Sequence, residues 1–212
     1  TFVGGSGNDT FTGGSGNDSV VGGSGIDSIS AGAGNDTIVG AQDDALLDGV
    51  SGTDWLQVGA NFDDTGDSQI ANIDNVEVTA TGLTVNLGQQ SEALAVTGFA
   101  AGATTFIGGS GNDTFTGGSG NDSVAGGTGI DSISAGAGND TLDGGSGNDS
   151  LIGGIGSDLY FIDSVDDVVI EDNTFDYGVT EPIENDNLMN SYRFQSKEEY
   201  EFFTFMEYPI EI

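Results

Sequence analysis

One aspartate recurs every nine residues in two blocks of this 212-residue sequence. The first block, residues 4–39, holds four copies of a nine-residue unit, and the second, residues 108–161, holds six. Periodic carboxylates bring like charges together in a regular fold, which costs free energy unless a cation lies between them. Because catalytic carboxylate pairs are not periodic, the spacing indicates structural metal binding. The aspartates are the sixth residues of their units: Asp9, Asp18, Asp27, Asp36, Asp113, Asp122, Asp131, Asp140, Asp149 and Asp158.

The residue types around these aspartates favour calcium. Glycines at the first, second and fourth positions of most units form a turn in which the backbone can adopt positive φ and expose its carbonyl oxygens. Calcium is a hard cation that takes six to eight oxygen ligands at roughly 2.3 to 2.6 Å, whereas magnesium demands tighter octahedral geometry. Softer metals prefer nitrogen and sulfur, and the sequence has no histidine and no cysteine. Residues 1–161 hold nineteen Asp and two Glu, which favours a short arm held inside a turn.

The charge balance excludes other classes of function. The chain has 35 acidic and two basic residues, a formal net charge of −33, and residues 1–192 contain no Lys or Arg. This excludes binding to nucleic acid or to an anionic membrane through a basic patch. Without His and Cys there is no Ser-His-Asp triad, thiolate nucleophile or disulfide, so we predict that the chain is not an enzyme. Such a chain must be disordered or recruit cations from outside.

Each nine-residue unit predicts one turn and one short strand. Positions 7 to 9 form the strand, whose middle residue is apolar, as in Phe11, Val20, Ile133 and Leu151. Two units make one coil of about eighteen residues, and stacked coils place these side chains in a continuous column. The sequence therefore predicts an all-β fold. Residues 1–38 match residues 105–142 at 34 of 38 positions, so the chain is a duplication with an offset of 104 residues.

The unit GGSGNDTFT, present at 4–12 and 108–116, resembles the calcium-binding nonapeptide of RTX (haemolysin-type) proteins. The resemblance implies a calcium-stabilised parallel β-roll or β-solenoid with a C-terminal capping segment. It also implies that each ion lies between a turn and the turn two units later, held by their aspartates and by glycine carbonyls. The implied carbonyl ligands belong to the second and fourth positions: Gly5, Gly7, Gly14, Gly16, Gly23, Gly25, Gly32, Gly34, Gly109, Gly111, Gly118, Gly120, Gly127, Gly129, Gly136, Gly138, Gly145, Gly147, Gly154 and Gly156.

The same resemblance implies about six or seven calcium ions per chain. A seventh site would use the degenerate turn at 49–54, with Asp54 as its aspartate. Residues 40–48 keep the register but lose the glycines of the second and fourth positions and displace the aspartate, which makes them a poor match for calcium binding. The other six sites pair the turns that begin at 4/22, 13/31, 108/126, 117/135, 126/144 and 135/153.

We divide the chain into four segments. Residues 1–57 form the first RTX block, 58–105 an irregular β-solenoid connector, 106–161 the second RTX block, and 162–212 a capping strand and C-terminal tail. The connector lacks the nonapeptide, but its short alternating apolar stretches predict strands that continue the stack. A flexible linker is the alternative for this segment. In the tail, a short helix and an amphipathic β segment are both open.

These features predict a calcium-binding repeat module of a secreted or cell-surface bacterial protein that folds when it binds extracellular calcium. One alternative is the structural rod of a surface-layer or adhesin protein, which the duplication favours. Another is the non-catalytic C-terminal module of an enzyme exported by type I secretion. The expected partners are calcium ions, neighbouring repeats of a longer chain and cell-surface components, with no nucleic acid and no membrane span. We expect the chain to be a piece of a longer protein.

Overall fold

The computed structural model of the protein describes residues 1–39, 44–64, 66 and 69–170. Within these ranges every regular element is a β-strand and none is a helix. In the repeat blocks each strand begins one residue after a sixth-position aspartate. The strands are β1 (Phe2–Val3), β2 (Thr10–Thr12), β3 (Ser19–Val21), β4 (Ser28–Ala33), β5 (Thr37–Val39), β6 (Leu46–Ser51), β7 (Trp55–Val58), β8 (Phe62–Asp63), β9 (Ile70–Ala71), β10 (Asn75–Val78), β11 (Leu83–Asn86), β12 (Ala95–Thr97), β13 (Thr104–Ile107), β14 (Thr114–Thr116), β15 (Ser123–Thr128), β16 (Ser132–Ala137), β17 (Thr141–Ser146), β18 (Ser150–Ile155), β19 (Leu159–Phe161) and β20 (Val168–Ile170).

The first face of the stack is a ten-stranded parallel sheet. Its order is β1-β3-β5-β7-β10-β12-β14-β16-β18-β20, so strands from successive coils lie side by side. In both repeat blocks paired residues are eighteen positions apart, as Phe2 with Val20 and Ile133 with Leu151. One coil therefore consists of two nonapeptides. The prediction for the tail beyond residue 170 lies outside the described residues.

The second face consists of two shorter parallel sheets. One has the order β2-β4-β6-β9, and the other has the order β19-β17-β15-β13-β11-β8. The two faces together form a parallel β-solenoid of about nine turns. The predicted all-β parallel solenoid is confirmed.

The eighth-position side chains fill the space between the two faces. Those of the inner coils are between 0% and 2% exposed, while Phe11, near the first coil's open end, is only partly buried. Phe106 and Phe115 stack with their ring centroids 5.5 Å apart. The column continues through the connector with side chains such as Val76 and Val85. The buried eighth-position residues are Val20, Ile29, Ile38, Phe115, Val124, Ile133, Leu142 and Leu151.

The first face runs without interruption from one repeat block to the other. Between the blocks the paired residues are further apart in sequence: Leu56 pairs with Val76, Val76 with Val96, and Val96 with Phe115. The spacing returns to eighteen at the Phe115 to Ile133 pair. Both blocks therefore belong to one continuous stack, and the extra residues are accommodated in the turns.

The second face is interrupted in the coil that contains both β8 and β9. Among the described strands, β9 pairs only with β6 of the preceding coil, where Leu47 lies beside Ile70. Strand β8 pairs only with β11 of the following coil, where Phe62 lies beside Val85. Both pairs are 23 residues apart, as the paired numbers show. The longer coils thus split the second face into two sheets while the core remains continuous.

In the regular units, close stacking of the turns favours glycine at the second position of a unit that follows another coil. Gly32 has a φ of +114°, and a Cβ placed on it would collide with the carbonyl oxygen of Gly14 in the preceding coil. That carbonyl already accepts a hydrogen bond from the amide of Ala33, at 2.8 Å. Gly14 is at the same position one coil earlier, and a Cβ placed on it would have no atom within 4 Å. The preference therefore comes from the neighbouring coil.

These two glycines provide a matched test of the stacking. Gly32→Ala should lower the free energy of unfolding by about 1 to 3 kcal/mol, because a side chain at this φ is strained and the carbonyl of Gly14 obstructs it. Gly14→Ala should change it by about 0.5 kcal/mol or less. Urea unfolding in the same calcium-containing buffer measures both. Equal effects of the two substitutions would contradict the stacking geometry.

Candidate metal centre

The sixth-position aspartates form two rows along the stack, one at the start of each face. Each row contains one aspartate per coil through the repeat blocks, because the coil length equals two units. The first row leads into the strands of the first face and contains Asp18, Asp36, Asp54, Asp113, Asp131 and Asp149. The second row leads into the second face and contains Asp9, Asp27, Asp122, Asp140 and Asp158.

One oxygen of each stacked carboxylate is fixed by the backbone of the preceding coil. The amide of Asp113 donates a hydrogen bond to Oδ1 of Asp131 at 2.7 Å, and the amide of Asp131 donates to Oδ1 of Asp149 at 2.8 Å. The second row repeats this contact, as from Asp122 to Asp140 at 2.7 Å. The amide is therefore what aligns successive carboxylates along a row.

The other oxygen, Oδ2, lies beside the first-position residue of its own turn, which is glycine in most units and alanine in the units that begin at residues 31 and 135. A Cβ placed on Gly126 would meet Oδ2 of Asp131, in the same turn, and the carbonyl oxygen of Gly144 in the next coil. Asp131 is 2% exposed. In six of the aspartates this Oδ2 is buried and accepts no hydrogen bond, although a buried carboxylate oxygen is costly without one. The residues concerned are Asp27, Asp36, Asp54, Asp131, Asp140 and Asp149. Asp113 and Asp122 differ, because their Oδ2 atoms accept hydrogen bonds from the amides of Gly109 and Gly118, each at 3.3 Å.

This environment fits calcium and no softer metal. The atoms that surround the space are carboxylate and carbonyl oxygens, the ligands that calcium prefers. Among the described residues no three carboxylates, His or Cys converge on one point, so backbone carbonyls must complete any coordination shell. Calcium bound there would neutralise the buried charge and bring successive turns together through shared oxygens.

The carbonyls predicted as ligands point along the stack. Cβ atoms placed on Gly23 and Gly25 would collide with the carbonyl oxygens of Gly5 and Gly7 in the preceding coil. The carbonyl of Gly5 also accepts a hydrogen bond from the amide of Ser24 at 2.9 Å, which leaves its second lone pair for a metal. The assignment of the second- and fourth-position glycines as ligands remains a prediction.

Sequence reasoning missed the first-position carbonyl. Beside Gly126, the first residue of its turn, the carbonyl oxygen of Gly144 lies close to Oδ2 of Asp131. Beside Gly4, the carbonyl oxygen of Gly22 lies close to Oδ2 of Asp9 in the same way. The preference for a small residue at this position was the available signal. The first position therefore joins the candidate ligand set.

Three further aspartates extend the rows beyond the regular units. The amide of Asp149 donates to Oδ1 of Asp167 at 2.9 Å, and the amide of Asp54 donates to Oδ2 of Asp74 at 2.7 Å. In the second row the amide of Asp27 donates to Oδ1 of Asp44 at 3.1 Å. A spacing of eighteen residues would have identified Asp167, but the spacings to Asp44 and Asp74 differ from eighteen and gave no signal.

In the connector, side-chain amides donate hydrogen bonds to buried carboxylate and carbonyl oxygens. Asp64 is 5% exposed, and its Oδ2 accepts a hydrogen bond from Nε2 of Gln90, which is 2% exposed, at 2.8 Å. Nε2 of Gln69 donates to the carbonyl of Asp44, also at 2.8 Å. A neutral donor thus satisfies a buried oxygen where the glycine turn is missing.

Fifth-position asparagines hold the turns in register at the surface. Oδ1 of Asn112 accepts a hydrogen bond from the amide of Ile130 at 2.9 Å, and Oδ1 of Asn121 accepts one from Asn139 at 2.9 Å. An aspartate could make the same contact, but it would add another charge to an acidic row. The asparagines therefore align neighbouring turns without increasing the repulsion.

Burial disfavours the charged form of the stacked aspartates. It raises the pKa of both Asp131 and Asp140 to about 6, with neighbouring aspartates of the same row adding to the effect and a backbone amide opposing it. Burial likewise raises the pKa of Asp113 and Asp149. The metal-free fold therefore holds protons more strongly than the unfolded chain does.

The fold and the two rows define a calcium-binding repeat module built on a parallel β-solenoid. The chain belongs to the RTX calcium-binding nonapeptide repeat family, whose model describes four copies of the repeat. It matches residues 1–29, 12–47, 21–56, 100–133 and 125–160. Comparison with curated proteins gives no match. No helix among the described residues has the length and apolarity needed to span a membrane.

Acid should partly replace calcium in stabilising the fold. Because folding raises the pKa of Asp131 and Asp140 to about 6, their protonation stabilises the metal-free fold at low pH, and this stabilisation is lost as the pH rises through 6. In chelator, circular dichroism should therefore show more β structure at pH 5 than at pH 7.5. An equally unfolded chain at both pH values would contradict this linkage.

Proposed function

We propose that the chain is a calcium-triggered folding module of a secreted or cell-surface protein. The observation that carries the proposal is the buried Oδ2 of the stacked aspartates, which accepts no hydrogen bond in six of them. An anion in that position destabilises the fold unless a cation is bound beside it. Calcium binding and folding are then a single process, because the site is complete only when two coils are stacked.

The proposed switch depends on the calcium concentration of the compartment. Where calcium is scarce, as in a cytoplasm, repulsion among 35 acidic residues against two basic ones keeps the chain extended. At the roughly millimolar concentrations to which extracellular modules are tuned, the ions bind and the coils stack. An extended chain suits passage through a secretion channel, so we place the folded module outside the cell and its export in a type I secretion pathway.

We propose about six or seven ions per chain. Four belong to the second block and two to the first, and the seventh lies between the turns that begin at residues 31 and 49. Support for the seventh comes from Asp36, whose Oδ2 is buried without a hydrogen bond and whose amide donates to Asp54 at 2.8 Å. The predicted ligands of these sites are the sixth-position aspartates and the glycine carbonyls named above.

A structural rod is the second candidate function. The observation that favours it is the ten-stranded first face, which runs through both repeat blocks without interruption. Ten strands at a spacing of about 4.8 Å give a rod about 43 Å long that only calcium would stiffen. Neighbouring repeats of a longer chain or cell-surface components would be its partners. The rod and the folding switch are compatible, since both require the same ions.

Asp131→Asn tests the role of the buried oxygens. Asparagine can still accept the hydrogen bond from the amide of Asp113, but it replaces Oδ2 by a neutral NH2 group that cannot bind a cation. We expect the calcium concentration at the folding midpoint, measured by circular dichroism, to rise about tenfold, equivalent to about 1.4 kcal/mol. Unmutated protein should be unfolded in chelator at pH 7.5.

Asp143→Asn is the matched control for this substitution. Asp143 is half-buried on β17, and its Oδ1 accepts a hydrogen bond from the amide of Gly145 at 3.0 Å, outside both rows. Its replacement removes the same charge but no proposed ligand, so the midpoint should move by less than about twofold. Equal shifts for the two variants would contradict the proposal, because total charge alone would then control folding.

A further inference from the structure

The stack contains one irregular turn pair just beyond the last unit of the first block. Asp48 pairs with Ala71 in the second face, while the amide of Asp54 reaches Asp74 at the start of the first face. The six-residue turn 49–54 is therefore opposed by only three residues, 72–74. A regular coil would place six residues there.

The shortened turn leaves a cleft above the preceding one. The cleft has a volume of about 240 Å³ and is lined by residues 50–52, by residues 72–74 and by residues 92–93 of the next coil. In the regular units this space is closed, because second- and fourth-position glycines of the next coil cover the carbonyls beneath them. The absence of a full turn at 72–74 therefore opens the stack to solvent here.

A buried carboxylate oxygen lies close to the backbone of Asn72, which lines this cleft. Asp54 is 0% exposed, its Oδ1 accepts a hydrogen bond from the amide of Asp36, and its Oδ2 accepts none. A Cβ placed on Gly49 would meet both this Oδ2 and the carbonyl oxygen of Asn72. Asp54 and Asn72 thus converge on one space.

The same pair of oxygens recurs in the repeat blocks. Beside Gly126, Oδ2 of Asp131 and the carbonyl oxygen of Gly144 occupy equivalent places. The turn at 72–74 is therefore three residues shorter than a regular turn but has the same two oxygens beside this space. Asp74 also occupies the position of the next aspartate in the row.

The backbone at the cleft is held in an unusual conformation. Val50 has a φ of +76° and Asn72 a φ of +51°, and they are the only residues other than glycine with positive φ in the described part of the chain. A β-branched residue at positive φ is a genuine outlier and is retained only where its surroundings enforce it. Both outliers line the cleft.

We propose that this turn pair, between the degenerate turn 49–54 and the shortened turn 72–74, is a further divalent cation site in which Oδ2 of Asp54 and the carbonyl of Asn72 are the inner ligands and Asp74 and Glu92 supply charge at the cleft. The inference rests on the proposed calcium-binding function of the repeats. The donors are all oxygen, so the ion is a hard one of the calcium class. Its site is reached from solvent through the cleft, unlike the sites enclosed between full turns.

The connector offers a contrast that supports this assignment. Oδ2 of Asp64 is also buried, but Nε2 of Gln90 donates a hydrogen bond to it. Asp54 has no such amide at its Oδ2. The buried carboxylate of Asp64 is therefore satisfied by a side-chain amide, whereas that of Asp54, in a neighbouring part of the stack, is left for a cation.

The only tryptophan of the chain provides a direct probe of this site. Trp55 follows Asp54 immediately and is 37% exposed. Terbium(III) is a hard ion that replaces calcium in oxygen sites and emits when a nearby indole is excited. Terbium bound beside Asp54 should therefore emit on excitation of Trp55.

The test compares unmutated protein with Asp74→Asn/Glu92→Gln, and with Glu92→Gln alone. Asparagine at 74 can still accept the hydrogen bond from the amide of Asp54, so the coil keeps its register. Calorimetric titration should give one calcium ion fewer per chain for the double variant, and terbium emission excited through Trp55 should fall at least twofold. Glu92→Gln alone should raise the terbium concentration at half-maximal emission several-fold.

Glu77→Gln is the matched control, because Glu77 lies in the same coil but accepts a hydrogen bond from Gln57 at 2.8 Å on β7. It should leave both readouts unchanged.

An unaltered ion count and unaltered emission in the double variant would overturn the inference while the repeats still bind calcium. If the double variant does not fold in calcium, Glu92→Gln alone decides, and an unchanged emission midpoint overturns the site. Unmutated protein that binds no calcium would contradict the proposed function itself.

Discussion

Each inner coil of the stack places an aspartate in line with the aspartates of the coils before and after it. The backbone amide of one aspartate holds Oδ1 of the next, at 2.7 Å between Asp113 and Asp131, and so fixes the whole row. The same contact leaves Oδ2 of Asp131 buried with no hydrogen-bond donor. The backbone contact between coils therefore leaves six aspartates with a buried carboxylate oxygen that has no donor, and a cation between the turns is the means of compensation that this composition allows.

Several other features of the molecule follow from that constraint. The first position is glycine or alanine because Oδ2 and a carbonyl of the next coil lie close beside it, as at Gly126. In the regular units the second position is glycine, and where another regular coil precedes it the backbone takes a positive φ, as at Gly32 with +114°. The unit length of nine keeps both rows in line while the eighth-position side chains form the core. Where the connector abandons this unit, Gln90 donates to Asp64 and replaces the cation by an amide.

The repeat was sufficient to predict the strands, the coil of two units and the core, because each depends on a local pattern that recurs without a slip. It was also sufficient to place Asp131 and Asp149 in one row. The roles of Asp44 and Asp74 could not be predicted, because the coils that contain them differ from eighteen residues and their register depends on long-range pairing. The first-position carbonyl was missed for a related reason, since its neighbour lies in another coil. The interruption of the second face at β8 and β9 likewise depends on which coils pair, and no residue pattern in the connector encodes it.

The central claim is that the amide-to-carboxylate rows persist only when cations neutralise them. Hydrogen exchange at the amides of Asp113 and Asp131 measures this most directly, since each amide donates to the aspartate of the next coil. At millimolar calcium and pH 7.5 both amides should exchange slowly, and in chelator at the same pH they should exchange as fast as amides of an unstructured peptide. Equal protection of both amides in calcium and in chelator would contradict the account.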